Sequence, residues 1–228
     1  GAIDRLGRII DGNTSLDYDP EEVKRQVSIN MAVAPIKWMD KKINLLDTPG
    51  YFDFVGEKLE ALRVADSALI VMYGNVVVGT EKSWDYCNQY DLPRVIMMNK
   101  MNDENGDFDN SYGQIREHFG KSCVAMQVPI RENGKLIGYI DTVKKIAKSY
   151  NTNGESVEIE IPERLKSLVD EIHDSLCEVV AESDDALMEK FFAGEEFTTE
   201  EILKGLKKAI NTLKLAPVLV GSSYDNVG

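Results

Sequence analysis

Cysteine and histidine are both scarce in this 228-residue chain. The three cysteines, Cys87, Cys123 and Cys177, are an odd number, widely spaced, and none sits in a C-x-x-C pair. That supports neither a disulfide framework nor a zinc knuckle, and buried thiols are the expectation. The two histidines, His118 and His173, are far apart in sequence and fall in segments with helical patterning. They read as surface or packing residues rather than as a metal or acid–base pair. No apolar run approaches the roughly 20 residues that cross a bilayer, and no basic-then-apolar leader opens the chain. The expected compartment is therefore the cytoplasm, with no membrane partner. Cationic side chains are also short: 26 Lys and Arg stand against 39 Asp and Glu, a formal net charge of −13. A broad, sequence-independent grip on nucleic acid needs clustered Lys and Arg, so none is expected from this chain itself.

What is present is enough apolar residue, 43%, to build a large core, as one big domain or one domain with a smaller insert. Residues 28–38 and 42–47 read as strands joined at Met39-Asp40-Lys41, the first loosely alternating and the second a buried apolar run. Residues 55–65 have helical spacing, 67–73 read as a buried strand, 80–90 as a helix and 94–98 as another buried strand. Alternating strands and helices imply an α/β fold, a mostly parallel sheet with helices on both faces and ligands at the carboxyl ends of the strands. From about Pro129 to Leu213 the pattern changes. A hairpin candidate, Glu132-Asn133-Gly134-Lys135, and a polar stretch, Asn151-Thr152-Asn153-Gly154-Glu155, precede three helices opening near Pro162, Asp184 and Thr199. This segment reads as an α+β insert, and the α/β pattern returns only at residues 216–223. The expected division is therefore 1–128 with 214–228, and 129–213.

Chemistry-bearing residues fall at the strand ends. Asp47-Thr48-Pro49-Gly50 puts a carboxylate after a strand, where it can hold the water shell of a Mg²⁺ ion. The N–H of Gly50 can approach a phosphate because no Cβ intervenes. Asn99-Lys100-Met101-Asn102 follows the strand at 94–98, and the small-residue turn Gly221-Ser222-Ser223 follows the last strand. Each motif alone is an ordinary turn. Their order and spacing together indicate a nucleotide site.

With these residues in view, the chain resembles the GTP-binding domain of the elongation factor G family, and specifically a paralogue. The resemblance runs from residues 1–7 through Asp17-Tyr18-Asp19-Pro20-Glu21-Glu22, the Asp47 turn, residues 93–100 and residues 183–189. It implies that Asp47, Thr48, Pro49 and Gly50 form the second switch and that Asn99, Lys100 and Asn102 form the guanine-specificity element. Ser222 and Ser223 would lie in the loop over the base. Ser28 falls where the family places the first-switch hydroxyl on Mg²⁺, so Ser28 and Asp47 are the implied metal residues. The implied cofactors are GTP or GDP and Mg²⁺. The implied partner is the ribosome, with the 129–213 insert meeting the acidic stalk protein of the large subunit.

Four departures bear on function. The phosphate loop G-x-x-x-x-G-K-[ST] does not occur in the sequence. Gly120-Lys121-Ser122 is a decoy, because a glycine is required at position 115, which is Ile115, and a helix rather than a strand leads in. Gly120 reads instead as a helix terminator. The chain thus reads as a piece of a longer GTPase, inactive by itself, whose sheet lacks a central strand and has exposed apolar edges. Tyr51 stands where the family usually has the water-positioning histidine. A phenol can orient water but is a poor base near neutrality, and packing beside Phe52 and Phe54 is the competing reading. Asn102 replaces the aspartate whose two oxygens accept from guanine, so its amide meets the exocyclic amine donor to donor. Two further readings stay open: a degenerate nucleotide domain acting through protein contacts, and a ribosome-protection or release-type relative.

Overall fold

The computed structural model describes residues 7–103, 106–132, 134–150 and 156–228. The resemblance segment at 1–6, Asn133 of the expected hairpin and the polar stretch 151–155 lie outside them. The chain divides into a first unit, Gly1–Ser67 with Asp85–Leu92, and a second unit, Ala68–Trp84 with Pro93–Gly228.

In the first unit, helix α1 (Pro20–Arg25) opens with a capping box: Asp19 accepts from the chain and Glu22 reaches back to the Asp19 N–H. Proline at its first position is compatible with the missing N–H there. Strands β1 (Ala32–Trp38) and β2 (Lys41–Asp47) form a two-stranded antiparallel sheet with Ala32 opposite Asp47. Met39 and Asp40 both take positive φ, 45° and 58°, between the paired Trp38 and Lys41. Such a two-residue turn has the twist that a tight hairpin requires. Helix α2 (Val55–Leu62) follows the Asp47 turn.

Two expectations need correction here. The apolar run of β2 predicts burial, yet the strand is largely solvent-exposed, and among the described residues it pairs only with β1. Among the described residues it forms no ladder with the parallel strands. Strand β1 begins at Ala32 rather than Ser28 because the preceding amides are committed elsewhere. Ile29 and Asn30 donate to Glu22, and Met31 donates to Glu57.

The second unit carries the α/β core. Strands β3 (Ala68–Met72), β4 (Arg94–Met98), β5 (Cys123–Ala125) and β10 (Ala216–Val220) make a four-stranded parallel sheet in the order β3-β4-β10-β5. The inner strands bury Ile96, Met98, Val218 and Val220, and β5 is buried throughout. Strands β5 and β10 are buried on both faces, as strands of a parallel sheet usually are, whereas β4 buries alternate residues. Edge strand β3 is the exception, since Leu69 and Val71 are both more than half exposed. Helix α3 (Val78–Gln89) starts in this unit and ends in the first. Helix α4 (Phe108–Phe119) is capped by Asp107 and ends at Gly120 with φ 91°, as a helix terminator should.

Between β5 and β10, which pair directly, the chain inserts an antiparallel meander and three helices. Its strands are β6 (Gln127–Glu132), β7 (Lys135–Asp141), β8 (Ile146–Tyr150) and β9 (Ser156–Ile159). The helices are α5 (Glu163–Ala181), α6 (Asp185–Phe192) and α7 (Thr199–Asn211). Along α5, Leu165, Val169, Ile172, Leu176 and Val180 are buried at helical spacing, giving one apolar stripe. Asp184 and Thr198 cap α6 and α7 through their side chains. Glu201 completes a capping box and pairs with Lys190, and these partners hold its carboxyl down to about 2.

Candidate functional site

Within the second unit, the carboxyl ends of β4 and β10 lie side by side, with Met98 opposite Val220. The ladder then continues into the loops: Gly221 N–H donates to the Met98 carbonyl, and Met101 N–H donates to the Gly221 carbonyl. This exchange joins the Asn99 turn to the Gly221 turn. Asn99 itself is a clasp. Its Oδ1 accepts from the N–H of Lys100 at 2.8 Å and of Ser223 at 2.9 Å, while Nδ2 donates to Ser223 Oγ at 2.9 Å. Gly221 cannot be larger, because a Cβ there would sit 2.7 Å from the Val227 carbonyl oxygen. Val227 and Ser222 exchange both main-chain hydrogen bonds, closing the loop over residues 222–227.

Of the residues expected in the base-recognition element, the structure brings Asn99, Lys100, Asn102, Ser222 and Ser223 together. Their roles differ. Ser222 is fully buried and its Oγ accepts from the Asp225 N–H, so it supports the loop. Ser223 is exposed and bound to Asn99. Met101 is 2% exposed and anchors the turn, leaving Asn102 beside it partly open. Among the described residues, no hydrogen bond engages the Asn102 carboxamide. Asn99 thus keeps one spare N–H, and the Asn102 carboxamide lies two residues beyond it.

The first unit positions Ser28, Asp47, Thr48, Pro49, Gly50 and Tyr51. Ser28 Oγ donates to Asp17 Oδ1 at 2.7 Å, which aims an oxygen lone pair away from Asp17. Glu22 is 2% exposed, and its carboxylate accepts from Ile29 at 2.9 Å, Asn30 at 3.0 Å and Asp19 at 3.1 Å. Burial raises the Glu22 carboxyl, but the donors at Asn30, Ile29, Asp19 and Tyr18 outweigh it and hold it below the ordinary value. Asp47 keeps an open face, yet its carboxyl is pushed up, first by burial and then by the like charges of Asp17 and Glu22. A carboxylate disfavoured in this way gains from a cation. Among the described residues no group of three or more acidic, His or Cys side chains could hold a metal by protein ligands alone. The donors that remain, one hydroxyl and one carboxylate, suit an ion such as Mg²⁺ that keeps several waters and takes phosphate oxygens.

At Gly50 an added Cβ would meet nothing within 4 Å, and its φ is not positive, so neither packing nor backbone conformation asks for glycine there. Tyr51 is 60% exposed and Phe52 52% exposed, so Tyr51 is not packed into a core.

Cys123 is pushed up to about 12 and Cys177 to about 11, both mainly by burial. His118 Nδ1 lies 2.9 Å from Glu81, and His173 Nδ1 lies 2.8 Å from the Thr142 carbonyl, so the histidines serve different contacts. Sequence reading missed Glu22 as an organiser, although the Asp19-to-Glu22 spacing of a capping box was there to find.

The whole chain, residues 1–228, matches the family described as the elongation factor Tu GTP-binding domain. A crystal structure of a protein from Thermus thermophilus matches with a TM-score of 0.91 at 34% sequence identity, covering 100% of this chain. The match covers 34% of that protein, so this chain spans about a third of its length.

Proposed function

Because this chain belongs to the elongation factor Tu GTP-binding domain family, whose ligand is a guanine nucleotide, we propose that it is the nucleotide domain of an elongation factor G-like translation factor. In the intact protein it binds GTP, hydrolyses it on the ribosome, and releases its switch segments as the γ-phosphate is lost. The observation that carries this reading is the clasp of Asn99 on Ser223 at the paired ends of β4 and β10. It presents Lys100 and Asn102 as a base-binding edge. Asp47 and Ser28 would hold Mg²⁺, the first largely through water, and the ion supplies charge neutralisation on the phosphates. Gly50 gives its N–H to the terminal phosphate, with Thr48 and Pro49 shaping the turn. Tyr51 orients the attacking water through its hydroxyl without acting as a strong base. Segment 129–213 acts as a separate insert that meets the ribosomal stalk protein, and the ribosome is the principal partner.

The direct test uses the intact protein. Guanine-nucleotide affinity is measured by calorimetry, and hydrolysis is followed with and without ribosomes. Micromolar binding with ribosome-stimulated hydrolysis is the expected result. Binding without stimulated hydrolysis would favour a nucleotide-regulated binding module, the reading that Tyr51 and Asn102 keep open.

A further inference from the structure

Lys100 sits on a left-handed backbone, φ 57°, unusual for a residue with a side chain. Its N–H is held by Asn99 Oδ1 at 2.8 Å, which steadies that conformation. The ammonium lies over the ring of Tyr73, 5.2 Å from its centroid. Topology explains the meeting. Strands β3 and β4 are parallel, with Met72 opposite Met98, and the Asn99 N–H extends the ladder by donating to the Met72 carbonyl at 2.8 Å. Tyr73 and Lys100 therefore leave the sheet side by side. Gly74, at φ 66°, turns the chain immediately afterwards. Tyr73 is 42% exposed, so its ring stands at the mouth of the strand ends rather than in the core.

A flexible four-carbon side chain is costly to order at the moment of binding, and an aromatic face that attracts its ammonium removes part of that cost beforehand. We propose that Tyr73 is a positioning residue for Lys100, parking the ammonium so that the lysine is already ordered when the base enters. This rests on the reading of Asn99, Lys100 and Asn102 as the base-recognition edge. The attraction needs the π face and not the hydroxyl, so Tyr73→Phe should behave as wild type. Tyr73→Leu should weaken guanine-nucleotide binding about two- to fivefold, the range of an exposed cation–π contact.

The experiment has two arms on the intact protein. GDP titrations compare wild type, Tyr73→Phe and Tyr73→Leu, with thermal melts to show that each is folded. In the second arm, NMR of isotope-labelled lysine follows the Lys100 ε-methylene without nucleotide. A ring-current shift is expected in wild type and Tyr73→Phe and should vanish in Tyr73→Leu. Wild-type affinity in Tyr73→Leu, or absence of the ring-current shift, overturns this inference alone. Failure of wild type to bind guanine nucleotide overturns the base-site reading, and the proposed role of Tyr73 with it.

Discussion

Strands β2 and β4 look alike as sequence, KINLLD before one turn and RVIMM before the other, and each leads into a motif read as part of a nucleotide site. In the structure they are opposites. Every second side chain of β4 is buried, whereas β2 is exposed nearly throughout and has one neighbour among the described residues. Apolar composition reports what a strand is able to bury. Burial itself depends on what lies on both sides, and among the described residues β4 has β3 and β10 while β2 has β1 alone. The two turns differ accordingly. The Asn99 turn is an extension of a hydrogen-bonded ladder. The segment beside Asp47 is held by carboxylates, with Glu22 and Glu57 taking three successive main-chain donors.

The sharpest way to break this comparison is a pair of truncations. Ile96→Ala, at a fully buried position on β4, should cost about 2–5 kcal/mol in urea denaturation. Leu45→Ala, at 43% exposure on β2, should cost less than about 1 kcal/mol. Equal losses would show that β2 is packed in the working protein.

Glu22→Gln tests the carboxylate-held region. It replaces an acceptor oxygen with a donor facing the Ile29 and Asn30 amides, and should cost about 1–3 kcal/mol. Hydrogen exchange at those amides should speed up at neutral pH. The pH dependence has a definite sign. Because the folded-state value is depressed, the Glu22 contribution is complete above the ordinary value of 4.5 and is lost as pH falls through the depressed value. The difference between wild type and Glu22→Gln should therefore shrink in acid, while the Asn99 turn stays unaffected.

Asn102→Asp is the smaller change and sharpens the other side. In the intact protein it should tighten GTP binding by roughly tenfold, about 1.4 kcal/mol for one repaired polar contact. Wild type should correspondingly show a weakened or reversed preference for GTP over its xanthine counterpart, whose carbonyl can accept from the Asn102 amide. Calorimetry with both nucleotides checks this.

The parts of the fold legible in the sequence were those with local causes. Helices α5, α6 and α7 announced themselves through openings near Pro162, Asp184 and Thr199, and β4 and β10 through short apolar runs bounded by turns. Strands β8 and β9, IAKSY and SVEI, escaped because they are short, mixed in polarity and stabilised by cross-strand pairing. The exposure of β2 was invisible because burial depends on neighbours that no local sequence window contains. At the site, Asn99, Lys100 and Ser223 were legible as motifs. The ammonium of Lys100 over Tyr73 was not, since it depends on the register of β3 against β4.

The central claim is that the paired ends of β4 and β10 form the base-binding edge, with Asn99 as its clasp. Titration of GDP into the intact protein, wild type against Asn99→Ala, tests it most directly. Loss of the clasp should weaken binding by about tenfold or more, with faster hydrogen exchange confined to the 222–227 loop. Unchanged GDP affinity in a folded Asn99→Ala protein would contradict it.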